Sequence, residues 1–121
     1  MKKIFIAAMS LFLMGVFSSA SAASLDDMVG TWSWEGYTMV VTKCDATGIC
    51  SKVTAGPSNV GMEMMKSKPE AKDGGFVGKI AHPKTGDTYN SMMTMKDANT
   101  WHMDGCTDAK VCASGDFVRV K

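Results

Sequence analysis

Twelve methionines occur in 121 residues, and seven of the nine beyond residue 22 cluster as Met62, Met64 and Met65, then Met92, Met93 and Met95, with Met103 further on. Thioethers at this density point to two kinds of chemistry. Unbranched and polarizable, they line apolar interiors that take irregular guests, because methionine fills gaps without a fixed shape. They are also soft donors that select Cu(I). For the first chemistry, side chains alternate faces along a strand. Tyr89, Met93 and Met95 therefore share one face, and Trp101 and Met103 share a face of the next strand. With Tyr37 and Met39 they are the expected lining of a pocket for a small hydrophobic ligand. For the second, the pairs Met62/Met64 and Met93/Met95 would act with His102 and Met103 as the donor set. The plainest alternative makes all of them core filler.

Other chemistry is sparse. His82 and His102 are the only histidines, and neither a G-x-S-x-G elbow nor an H-E-x-x-H pair occurs, so no activated nucleophile can be named. A non-enzymatic protein without a cofactor is expected. His82, just before Pro83, is expected to lie exposed in a turn. The aspartates fall mostly in turn-like stretches, where Asp favours turn geometry, and they spell no calcium loop.

The chain opens with Lys2 and Lys3, an apolar run from Ile4 to Phe17, and the small triplet Ala20-Ser21-Ala22. Basic, apolar and small-residue segments in that order form a secretory signal. The run is shorter than the roughly 20 apolar residues a transmembrane helix needs. Residues 1–22 are read as a cleavable signal, cut after Ala22, and 23–121 as a single domain that is periplasmic or secreted and keeps no membrane anchor. Two of the 13 basic residues lie in the signal, leaving 11 against 12 acidic residues. That balance, about −1, offers nothing to nucleic acid.

A domain of this size has a modest core, so staples are expected. Cys44, Cys50, Cys106 and Cys112 form two C-x5-C pairs, and in an exported chain an even cysteine count reads first as disulfides. Four cysteines allow three connectivities. Local pairing is favoured because each pair brackets a turn-rich stretch, Asp45-Ala46-Thr47-Gly48 or Thr107-Asp108-Ala109-Lys110. A four-thiolate zinc site is the alternative, although structural zinc sites usually place paired cysteines two to four residues apart.

The elements positioning these residues are short strands. Gly30 to Trp34, a Glu35-Gly36 turn and Tyr37 to Cys44 read as a hairpin. Further strands are expected at 51–54, 60–69, 76–81, 88–95, 100–106 and 115–120. The 60–69 segment is ambiguous, since its Met and Lys also suit helix. Eight strands without a convincing long helix predict an all-β fold, an antiparallel up-and-down meander able to close into a small barrel.

In their order along the chain, Gly30-Thr31-Trp32, the Cys44 to Cys50 turn, the stretch from Gly74-Gly75 through Ile80, Pro83 and Gly86 to Tyr89, the Gly105-Cys106 to Cys112 turn, and Phe117-Val118-Arg119 resemble the exported bacterial domain-of-unknown-function family 2147. The resemblance covers nearly the whole domain and implies a lipocalin-like barrel. It departs from the family pattern at Phe117 and His82, and the region between Ser51 and Gly74 is shorter than usual. By the same resemblance Trp32 and Arg119 form a structural barrel closure, the guanidinium lying over the indole. Arg119 as an anion-binding residue is the alternative.

Overall fold

The computed structural model describes residues 24–121, so the expected signal at 1–22 lies outside the described residues. A single turn of 3-10 helix, Leu25–Met28, precedes eight strands: β1 (Gly30–Trp34), β2 (Tyr37–Cys44), β3 (Gly48–Ala55), β4 (Glu70–Lys72), β5 (Gly75–Ala81), β6 (Thr88–Asp97), β7 (Thr100–Cys106) and β8 (Cys112–Arg119). All pairings are antiparallel, and the sheet order is β3-β2-β1-β8-β7-β6-β5-β4. Consecutive strands are neighbours except β3 and β4, which form the two edges of the sheet, and the first strand pairs with the last.

The hairpins follow from turn chemistry. Glu35-Gly36 and Asp73-Gly74 both adopt positive φ at each of their two residues, the geometry in which a two-residue turn matches the twist of its strands. Alternation then sends Tyr37, Met39 and Val41 inward from β2, and Tyr89, Ser91 and Met93 inward from β6. Trp32, Tyr37, Met39, Ile49, Val53 and Met93 are the largest fully buried side chains.

The 60–69 segment is not the continuous strand expected of it. It makes isolated bridges at Glu63 and Met65, and the fourth strand forms afterwards, at Glu70–Lys72. Its irregularity has a physical reason, because it must serve two partners at once. The Met64 amide donates to the Ser51 carbonyl of β3 at 2.6 Å, while the Met64 carbonyl accepts from the Ala81 amide of β5 at 2.8 Å. The Lys66 amide likewise donates to the Lys79 carbonyl at 2.8 Å. This segment stitches the two sides of the curled sheet together and closes the barrel wall.

The disulfides are Cys44–Cys50 and Cys106–Cys112, with Cα atoms 5.8 Å and 3.9 Å apart. Each spans one hairpin, and they sit at opposite ends of the barrel. At the Cys44–Cys50 end, the helical turn lies beneath Trp32, whose indole N–H donates to the Met28 carbonyl at 2.8 Å. Arg119 completes this cap. Its guanidinium carbon lies 4.3 Å from the Trp32 ring centroid. Its Nε, Nη1 and Nη2 donate to the carbonyls of Ala98, Val29 and Asp27 at 3.0, 3.0 and 2.8 Å. All three guanidinium nitrogens are thus spent on backbone, and the residue acts as a clamp.

Candidate functional site

The other end of the barrel is a mouth built of rings. Trp34, at the end of β1, stacks against Tyr37 and Phe117 with centroids 6.2 and 5.5 Å away. Gly115 on β8 permits this, since a Cβ there would fall on the Trp34 indole nitrogen. His82 lies edge-on to Trp34 and tilted against Tyr89, at 5.2 Å in both cases. The histidine expected to be exposed is therefore half-buried, because a tertiary contact with a tryptophan on β1 overrides its position in a turn. Lys84 pairs with Glu35 above the mouth, its ammonium 5.2 Å from the Trp34 centroid.

Two small cavities lie along the barrel, each of about 40 Å³. The first, at the mouth, is lined chiefly by Trp34, Ile80, His82, Tyr89, Met103 and Phe117. The second, in the interior, is lined by the six thioethers of Met28, Met39, Met64, Met65, Met93 and Met103, together with Trp32, Trp101 and Ser51. Met64, Ile80, Met103 and Phe117 border both and form the partition between them. No Asp, Glu, Lys or Arg lines either cavity.

The residues expected at a pocket are divided by this arrangement. Tyr89 and Met103 border the mouth cavity; Met39, Met93, Trp101 and Met103 border the interior one. Tyr37 borders neither and is a buried wall behind Trp34, its hydroxyl bonded to Ser58. Met95 also borders neither cavity. It opposes Trp101 in register and lies beside Asp97, Ala98 and Arg119 at the capped end. Met28 and Met65 were missed, since one sits in the helical turn and the other in the bridging segment, where strand alternation gives no guide. Trp34, His82 and Phe117 were missed because their meeting depends on which strands are neighbours.

The mixed donor set for copper is not assembled. Met93 and Met103 are direct partners across β6 and β7, but His102 alternates with Met103 and faces out. Its Nδ1 lies 2.7 Å from Asp116 and its Nε2 3.0 Å from Asp104. Met62 borders neither cavity. Among the described residues, no group of three or more His, Cys, Asp or Glu side chains is placed to hold a metal.

The two histidines titrate in opposite directions. The hydrogen bond to Asp116, helped by Asp104, raises the His102 pKa above the usual 6.5. Burial, then the nearby Lys84, lowers that of His82 against smaller opposing effects of Glu35 and Asp87. By linkage, the stability His102 contributes is fully present below 6.5 and is lost as pH rises through its folded value. The contribution of His82 is present above 6.5 and lost as pH falls through its folded value. A ring-proton NMR titration is expected to show two midpoints on either side of 6.5. Asp116→Asn should bring the upper one down and leave the lower one unmoved; coincident midpoints would contradict the assignment.

Fold and cavities together define a small antiparallel β-barrel, stapled by a disulfide at each end and lined within by thioethers. Residues 29–119 match the family described as "uncharacterized protein conserved in bacteria", DUF2147, and the chain belongs to that family. No curated protein and no solved structure matches the chain.

Proposed function

We propose that this protein is a non-catalytic binder of a small apolar ligand, held among the methionines of the barrel interior and admitted through the aromatic mouth. The observation that carries this reading is the six-thioether cavity, separated from the mouth by a partition that includes Met64 and Met103. Each void is far below the ~300 Å³ at which drug-sized pockets begin. The occupant therefore displaces side chains, and methionine, unbranched with three rotatable bonds, yields most readily. A Cu(I) ion would find soft donors here but no anionic partner for its charge. An address in the periplasm is supported by the signal-like leader and by the two disulfides, which persist in oxidising compartments.

NMR of isotope-labelled methionine methyl groups tests the proposal, with cyclohexane as the probe. Resonances of Met28, Met39, Met64, Met65, Met93 and Met103 are expected to move, while Met92 and Met95, outside both linings, stay in place. If none moves on saturation with the probe, the barrel is filled, and a role in which its loops contact a partner takes the place of this one.

A further inference from the structure

Trp101 and Trp32 pack edge to face, with centroids 6.3 Å apart, and both are almost wholly buried. Their indole nitrogens fare differently. The Trp32 N–H has the Met28 carbonyl, whereas the Trp101 N–H is shut from solvent and meets no acceptor, the sole such buried side-chain polar atom among the described residues. Buried donors in native proteins nearly always have partners, so an exception asks for an explanation. Trp101 lines the interior cavity. We infer that its N–H receives the one acceptor oxygen of an uncharged ligand: a compact apolar molecule carrying a single carbonyl or ether oxygen. This inference rests on the ligand-binding reading above and specifies the head group.

The remaining lining residues narrow the chemistry. Besides Trp32, whose N–H is taken by Met28, Ser51 carries the only other polar side chain there, and its hydroxyl already donates to the Met64 sulfur at 3.8 Å. Thioether sulfur is a weak acceptor. A water molecule in the cavity would find at most the Trp101 N–H and the Ser51 hydroxyl oxygen, against the roughly three partners that buried waters typically make, so it is easily displaced. A carboxylate would enter without a cation to replace its hydration, and an ammonium without a carboxylate; both are excluded by the cost of an unpaired buried charge. A neutral acceptor is the group that gains a bond and loses little.

Cyclohexanone and cyclohexane, alike in ring but different in one oxygen, separate the two readings. In the oxidised protein, cyclohexanone is expected to move the Trp101 indole N–H resonance downfield and leave that of Trp32 in place, while cyclohexane moves neither downfield. Trp101→Phe, which keeps a ring and removes the donor, should weaken cyclohexanone binding about ten-fold more than it changes cyclohexane binding, a difference equivalent to about 1.4 kcal/mol. If the variant does not fold, the indole shift in the unaltered protein still decides. Binding of both probes with no indole shift overturns the head-group inference and leaves the binding reading standing. Binding of neither overturns both.

Discussion

Opening both disulfides is expected to lower the free energy of unfolding by about 5 kcal/mol, close to 2.4 kcal/mol for each, from the entropy of closing a seven-residue loop in the unfolded chain. A domain of this size has the lower part of the usual range of about 5–15 kcal/mol to lose. Reduction should therefore bring the barrel to the edge of unfolding at room temperature. The two bridges close loops of equal length, so replacing either pair by serine is expected to cost about the same. Their surroundings differ, one at the capped end and one at the mouth, but the effect acts on the unfolded chain and does not depend on place. Urea unfolding followed by tryptophan fluorescence measures both variants; a several-fold difference between them would show that local packing outweighs chain entropy.

Trp32→Ala is the second large effect, expected to cost about 4 kcal/mol, within the range for truncating a buried aromatic side chain. The indole is 1% exposed, so its loss leaves a void and exposes a set of dependents. The Met28 carbonyl loses its donor, Arg119 loses the face beneath it, and the edge contact with Trp101 disappears. Trp32→Phe separates these terms. It keeps a face for Arg119 and is expected to cost about 2 kcal/mol, from the orphaned carbonyl and the volume lost. A double-mutant cycle with Arg119→Ala should give a coupling of about 1 kcal/mol between ring and cation. Zero coupling would mean that Arg119 acts through its three carbonyl bonds alone.

Much of the fold was legible because its signals are local. Glu35-Gly36 between two runs of Val, Thr and aromatic residues specifies a hairpin by turn chemistry alone, and cysteines six positions apart around a turn can meet only if the chain reverses between them. The pairing of Trp32 with Arg119 came from family resemblance; nothing in their spacing of 87 positions would have suggested it. The site was less legible, for identifiable reasons. Alternation says which face Met93 and Met95 occupy but not their height along the barrel, and height decides that Met93 borders the cavity while Met95 does not. The same alternation, applied to His102 and Met103, would have separated them, because adjacent residues on a strand look opposite ways. The 60–69 segment carries no clear period, since a chain bonded on alternate sides to β3 and β5 is constrained by two neighbours. Met65 was hidden for that reason, and the unpartnered Trp101 N–H because a missing bond leaves no mark in a sequence.

The pairing of β1 with β8 sets an order for assembly. Thr31 exchanges backbone bonds with Val120 and Lys121, and Trp32 stands opposite Arg119. Both disulfides are local, so each hairpin can oxidise as soon as its own residues emerge. The barrel cannot close until synthesis has passed β8 and Lys121. Until then Trp32 waits without its clamp, and the methionine interior lies open along one side. A chain ending at Val118 would lose the clamp while keeping both staples and nearly every strand, and would be the form most exposed to proteolysis.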